Sequence, residues 1–220
     1  MKVIVLLSGG IDSTVVLASA LATGRECLAI SFDYGQKHII ELEHARDIAK
    51  HYDVKHAIIQ IGRNCFGNSS LTSTKKVPKN RTTEEIIHSQ IPSTYVPARN
   101  TLFLAYAIGQ AEIHNAQEIY AGPNILDRNA YPDCRPEFYQ AFQQVATFAT
   151  KQAVEGNPPR IVTPLIDLNK KEIVSEGKKL NIPFDLTFSC YDPTPEGKPC
   201  HQCDACILRA EALQSNFKFC

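Results

Sequence analysis

No run of apolar residues in this 220-residue chain approaches the roughly 20 that a membrane span requires. Neither sign of charge is in excess: 23 Lys and Arg stand against 23 Asp and Glu, a formal net charge of zero. A chain without a basic surplus lacks the broad electrostatic footprint that nucleic acid or an anionic membrane demands, so neither is expected as a partner. No signal-peptide pattern precedes the first apolar run, Val3 to Leu7, and the cytosol is the expected compartment. There is no internal repeat and no low-complexity segment. The length fits one large domain, or one domain with a small appendage.

What the chain does carry is concentrated in two stretches. The first is Leu6-Leu7-Ser8-Gly9-Gly10-Ile11-Asp12-Ser13-Thr14, between the apolar run and Val15-Val16-Leu17-Ala18. That order predicts a buried strand, a tight turn and a helix. Such a turn leaves backbone N–H groups free at the positive end of a helix, which suits a phosphate. Gly9 and Gly10 permit close backbone approach, and Ser8 and Ser13 add hydroxyl donors. Asp12 would repel phosphates unless a cation lay between them, and Mg²⁺ is the simplest choice. The loop has no lysine after its glycines and no GxGxxG spacing, so it is neither a Walker A loop nor a dinucleotide turn. It resembles the pyrophosphate loop of the N-type ATP pyrophosphatases, which split ATP into AMP and pyrophosphate.

The rest of the chain supplies the frame. Cys27 to Asp33 and Val54 to Ile61 read as further buried strands, with a helix from Ile39 to Tyr52 between them. This β-α-β-α-β order predicts a Rossmann-like, doubly wound parallel sheet. Arg63 to Pro97 is polar and weakly periodic, the mark of a functional loop or lid, or of a plain insertion. A core helix is predicted over Asn100 to His114, a fourth strand over Glu118–Ala121, and then a polar loop from Gly122 to Arg135. That loop falls where open α/β sheets bind ligands. Glu137 to Ala153 reads as one amphipathic helix with Phe138, Ala141, Phe142, Val145, Ala149 and Ala153 buried. Ile161 to Leu165 reads as a fifth strand, followed by a helix capped by Asp167 or Asn169 that ends near Asn181. Residues 1–183 form the expected nucleotide domain, and 184–220 a metal-binding segment packed on it.

The second stretch is the tail. Cys190, Cys200, Cys203 and Cys206 crowd together, while Cys27, Cys65, Cys134 and Cys220 are scattered. In a chain without an export signal such crowding points to metal or catalysis rather than disulfides. Four thiolates match one closed, structural Zn²⁺ per chain, with Lys198 and Arg209 near enough to ease its charge. Four thiols also suit an iron–sulfur cluster. The tail lacks the interleaved basic and aromatic residues of a zinc ribbon that reads nucleic acid.

Taken together, the motifs resemble those of the 7-cyano-7-deazaguanine synthases, the QueC family, over nearly the whole chain. The matching stretches are Ser8–Ser13, Asp33–His38 with Glu41, Ser70–Thr72, Tyr95–Asn100, Tyr131–Phe138, Pro164-Leu165 with Lys170, and Ser189–Tyr191 with the last three tail cysteines. The resemblance implies an adenine nucleotide alpha hydrolase-like fold and a ligase that joins 7-carboxy-7-deazaguanine and ammonia. One ATP makes an acyl adenylate that ammonia converts to an amide. A second ATP activates the amide, and elimination leaves the nitrile. It further implies a homodimer.

It implies site residues as well. Leu7, Ser8, Gly9, Gly10, Ile11, Asp12, Ser13, Thr14, Val15, Val16 and Leu17 form the nucleotide segment, with Phe32 and Tyr34 placed to meet adenine. Ser8, Asp12, Ser13 and Arg99 are the expected catalytic groups. Arg99, Asn100, Tyr131, Asp133 and Lys170 are the expected substrate contacts, with Asp133 reading the guanine-like edge and Lys170 a phosphate. Cys134 has no expected catalytic role, because the chemistry needs no thiol nucleophile. The chain departs from the family pattern at Pro123, at Arg128-Asn129-Ala130, at Phe188 and at His201-Gln202. A tRNA-thiolating or tRNA-lysidine enzyme would carry an RNA-binding appendage or a basic face, and neither is seen. A zinc-ribbon binding protein with a degenerate nucleotide fold would have lost Asp12 or the serines.

Overall fold

The computed structural model describes residues 1–62, 65–88 and 90–217. Arg63, Asn64 and Ser89 of the long polar loop, and Cys220, lie outside the described residues. Strand β1 (Lys2–Leu6) leads into helix α1 (Ile11–Ala22), β2 (Glu26–Asp33), α2 (Glu41–His51) and β3 (Lys55–Gln60). The strands pair in parallel in the order β3-β2-β1, and β4 (Glu118–Tyr120) and β5 (Arg160–Val162) extend the sheet beyond β1. The doubly wound parallel sheet is therefore present. The order reverses at β1, so the crevice between the carboxyl ends of β1 and β4 is its switch point.

Alternation along β1 explains how both faces are filled. Ile4 turns to one face with Ile30, Leu104 and Ala107; Val3 and Val5 turn to the other with Val15, Leu17, Ile48 and Ile173. Helix α4 (Arg99–His114) covers the first face, while α1, α2 and α8 (Lys170–Lys179) cover the second. The long loop contains one short helix, α3 (Thr83–Ile87), started by a capping box between Thr82 and Glu85. Its stem is pinned to the tail where Lys79 bridges Cys203 and the Asn80 N–H donates to the Gln202 carbonyl. The loop after β4 also contains a helix, α5 (Ile125–Ala130), capped by Asn124. Among the described residues no helix is long and apolar enough to cross a membrane.

Two expectations need correction. The helix expected from Glu137 to Ala153 is two, α6 (Pro136–Ala149) and α7 (Lys151–Val154), parted at Thr150, which is extended and caps α7 with its side chain. Its inward face is also turned: Tyr139 and Ala146 are buried, Phe138 and Phe142 pack partly against the core, and Val145 is exposed. The fifth strand ends at Val162, because Pro164 has no N–H to continue a ladder.

Below the sheet, the Glu118 carboxylate is buried and accepts from Arg25, Arg160 and the Tyr120 hydroxyl. Burial alone would raise its pKa; the hydrogen bonds from Arg25, Arg160 and Tyr120 overturn that and bring it to about 2. Because the folded value lies below the unfolded one, this stabilisation is complete above the ordinary carboxylate range and lost as pH falls through about 2. Glu118→Gln should therefore lower stability at pH 7, by up to about 3 kcal/mol, and should flatten the acid limb of urea-unfolding stability.

Candidate active site and metal centre

The β1–α1 turn is built for close approach. Gly9 has φ +85°, and a Cβ there would lie 2.5 Å from the Glu41 carbonyl oxygen and 3.0 Å from the Ala45 nitrogen. Helix α2 thus rests directly on the turn. Gly9→Ala should cost more than the roughly 1–2 kcal/mol of left-handed strain alone, read as a lower midpoint in urea. The Gly9 carbonyl accepts from Phe188 N–H, which ties the turn to the tail. Ser8 and Ser13 hydroxyls lie 3.1 Å apart, and Ser13 Oγ also accepts from the Ser8 N–H. Gly10 caps α1 without a side-chain bond, so the first turn of α1 keeps N–H donors for an anion.

Asp12 stands one residue inside α1. Its Oδ2 accepts from Lys170 Nζ at 2.5 Å and from Asn124 Nδ2 at 2.8 Å. The same Asn124 amide donates to Asp127 Oδ2 at 2.5 Å. Three elements therefore converge on the switch point: α1 with Asp12, α5 with Asp127, and the start of α8 with Lys170. Burial works against the Lys170 charge, but Asp12 and Asp127 hold it protonated, above its ordinary value.

Asp12, Asp127 and Lys170 line a cavity of about 340 Å³. Phe32 and Tyr34 line it from the end of β2; Phe32 stacks on Phe103 at 4.0 Å. Arg99 lines it too. The chain reaches Arg99 through Ala98, held in a left-handed conformation with φ 54°, whose N–H donates to the Tyr95 hydroxyl. Arg99 Nη1 donates to the Tyr34 hydroxyl at 3.0 Å. Among the described residues no carboxylate forms an ion pair with it. A half-buried guanidinium that donates to a phenol hydroxyl and has no carboxylate in ion-pair contact is a place for a ligand anion.

Some of the expected site residues are not in the cavity. Val15, Val16 and Leu17 are fully buried in the core on the far side of α1, and Thr14 turns its hydroxyl to the Gly10 carbonyl. Asp133 is buried, and its carboxylate accepts from the Asn100 N–H at 2.9 Å, as a cap on α4. Asn100 Nδ2 donates to the Asp133 carbonyl. These two hold the loop to the helix; Asn100 also lines the cavity, whereas Asp133 does not. Tyr131 does line the cavity, with its hydroxyl 3.2 Å from Thr94 Oγ1. Cys134 is buried and burial pushes its thiol well above the ordinary range.

Four residues were missed in the sequence: Asn124, Asp127, Arg81 and Asp204. Asn124 ahead of Asp127 has the pattern of a helix N-cap, which was the available signal. Arg81 and Asp204 had none, since their bidentate pair joins the long loop to the tail across 123 positions. Both line the cavity, as do Tyr191 and Arg209. The tail is thus a wall of the site.

Cys190, Cys200, Cys203 and Cys206 place their sulfurs within 4.8 Å of one another. Zn–S bonds of about 2.3 Å put tetrahedral sulfurs roughly 3.8 Å apart, within reach of this arrangement. Backbone N–H groups of Cys200 and Asp192 point at Cys190 Sγ, and that of Tyr191 at Cys203 Sγ. Donors aimed at sulfur favour thiolates, so the set fits a bound cation.

A family profile described as queuosine biosynthesis protein QueC matches residues 2–217. The chain belongs to the QueC family. A relative named 7-cyano-7-deazaguanine synthase in Desulfatibacillum aliphaticivorans is 49% identical over 214 residues, 96% of this chain and 91% of that protein. Another of the same name in Geobacter metallireducens is 50% identical over 214 residues, 96% of this chain and 88% of its own length. A solved structure described as a predicted subunit of tRNA methyltransferase from Methanocaldococcus jannaschii shares the fold of this QueC-family chain. Its TM-score is 0.51 at 20% identity, covering 81% of this chain and 76% of the other.

Proposed function

We propose that this QueC-family chain converts 7-carboxy-7-deazaguanine and ammonia to 7-cyano-7-deazaguanine through an acyl adenylate and an amide, releasing AMP and diphosphate from ATP. The observation that carries this reading is the shared cavity: an N–H-lined turn with Asp12 and Lys170 at one end, and the unpaired Arg99 beside it. A carboxylate is a poor electrophile until its oxygen carries a good leaving group. Ser8, Gly10 and Ser13 hold the diphosphate portion of ATP, and their donors stabilise charge on the leaving group. Lys170 adds a cation to the same end. Asp12 would hold a Mg²⁺ brought with ATP, which would supply charge neutralisation for the phosphates. Arg99 orients the substrate carboxylate toward the α-phosphorus, with Tyr131 along its flank. Asn100 and Asp133 fix the loop that carries Tyr131. Phe32 and Tyr34 form the apolar wall for adenine.

The tail, residues 184–220, holds one Zn²⁺ through Cys190, Cys200, Cys203 and Cys206. Four thiolates close the coordination shell, so the metal supplies folding energy and no chemistry. The enzyme works in the cytosol, without nucleic acid or membrane. This reading also includes a homodimer. Ile113, Phe148 and Val154 are 67%, 79% and 86% exposed on α4, α6 and α7, and Glu112 joins α4 to α7 by accepting from the Lys151 N–H. Phe148→Glu should yield monomers by sedimentation while the wild type sediments as a dimer.

The adenylation claim is tested by isotope exchange between pyrophosphate and ATP. Exchange should require 7-carboxy-7-deazaguanine and should need no ammonium. Exchange without the acid, or none with it, would refute the reading.

A further inference from the structure

The proposed chemistry needs a proton acceptor that none of the residues assigned so far supplies. Ammonia arrives at neutral pH almost wholly as ammonium, which has no lone pair. Several groups in the cavity wall could in principle accept its proton, and most are committed. Asp12 is paired with Lys170. Glu41 accepts from the Gln36 amide and faces His38 Nε2 at 3.4 Å. The other ring nitrogen of His38 is enclosed by protein. Asp204 gives both oxygens to Arg81. Asp127 remains. It lines the cavity, and among the described residues it forms no ion pair. Asn124 anchors one of its oxygens through the amide that also holds Asp12. The carboxylate is thus fixed one amide group away from the phosphate end, on the side toward Arg99.

We infer that Asp127 is the base that takes a proton from ammonium beside the activated carboxyl group. The inference rests on the proposed adenylation. The Asp127 carboxylate accepts one proton from ammonium, leaving ammonia. The ammonia lone pair forms the C–N bond at the acyl carbon. The bond from that carbon to the phosphate oxygen breaks, and AMP leaves with the electron pair. The extra proton on the new nitrogen passes to the departing phosphate oxygen. The products are the amide, AMP and protonated Asp127, which returns its proton to solvent.

The surroundings suit this role. The charged and titratable groups facing Asp127 are Asp12 of α1, Arg99 of α4, Cys134, Tyr139 of α6, Lys170 of α8, and Tyr131 and Tyr191. Burial pushes its carboxyl up to about 6, Lys170 opposes this, and Asp12 reinforces it. A base in that range is mostly ionised at neutral pH yet holds a proton readily.

The test compares two nitrogen nucleophiles in Asp127→Asn, which keeps the shape of the side chain. Hydroxylamine is uncharged at neutral pH and attacks acyl adenylates without a base, giving a hydroxamate. D127N should keep substrate-dependent pyrophosphate exchange within a few-fold of wild type. Amide formation from ammonium should fall by roughly 10²–10⁴-fold. Hydroxamate formation should fall by no more than a few-fold. Amide formation at the wild-type rate would overturn the inference. So would an equal loss with both nucleophiles, which would make Asp127 an orienting group, or lost exchange with a raised Mg²⁺ requirement, which would make it a metal ligand. If D127N does not fold, Asp127→Ser serves the same comparison. Wild-type enzyme that forms neither amide nor hydroxamate would instead defeat the proposed function itself.

Discussion

Asp12→Ala should reduce substrate-dependent AMP release by at least about 10³-fold and leave a folded protein. The two parts of that expectation have different physical origins. Asp12 lines the cavity at the β1–α1 turn, the proposed phosphate end, and holds Lys170 by one carboxylate oxygen. Without it, Lys170 faces Asp127 alone, and no anionic side chain remains in the first turn of α1 to bind a divalent cation with ATP. Charge building on departing pyrophosphate then goes uncompensated. The fold depends little on this side chain, because α1 is anchored by Val15, Val16 and Leu17 in the core. A pair that is partly open to solvent contributes on the order of 1 kcal/mol or less, so the melting temperature should move by only a few degrees. Asp12→Asn separates charge from shape: it should be nearly as inactive as alanine. A variant with full AMP release would remove Asp12 from the mechanism.

Cys203→Ser should have the largest effect on stability. Cys203 is fully buried, bridges Lys79 of the long loop, and immediately precedes α9 (Asp204–Phe217). Loss of one thiolate would open the proposed zinc site, and structural zinc affinity is folding free energy. The melting temperature should drop by roughly 10 °C or more, with zinc content well below one per chain. The consequence extends to the active site. Asp204 holds Arg81, and Arg209 donates to the Phe184 carbonyl and the Thr187 hydroxyl; Arg81, Asp204 and Arg209 line the cavity. ATP affinity should fall together with metal content. A zinc-free variant with unchanged melting temperature and turnover would show that the tail is not a structural metal centre.

How much of this was legible depends on the range over which each feature is encoded. The turn at Ser8–Ser13, the buried strands β1 and β2, and the spacing of the tail cysteines are local patterns, and they directly mark a strand, a candidate anion site and a cysteine cluster that could hold a metal. Parallel topology followed from the alternation of strand and helix. The break at Thr150 did not follow from the pattern, because the apolar spacing runs on while Thr150 caps a new helix. The inward face of α6 did not follow from the pattern either. Alanines at 141 and 149 suit burial by composition, yet the core takes Tyr139 and Ala146.

The substrate end was harder still. Asp133 has the chemistry to read a guanine-like edge, and sequence has no means of showing that its Oδ2 accepts from the N–H of Asn100. Asp127 falls inside a stretch whose polarity suggests irregular loop, although Asn124 three residues earlier is a capping signal. Its meaning appears only when Asn124 bridges it to Asp12, 112 positions before the bridge. Asp12 and Lys170 lie 158 positions apart, and Arg81 and Asp204 lie 123 apart. Long-range pairs of this kind are set by how the sheet and tail fold together, and no local period records them.

The most direct test of the account is the stoichiometry of a single incubation with 7-carboxy-7-deazaguanine, ammonium and Mg·ATP. Products are counted by mass spectrometry. The account predicts 7-cyano-7-deazaguanine with two AMP per nitrile, and the amide as a transient that chases into nitrile when more ATP is added. AMP released with neither amide nor nitrile formed would contradict it.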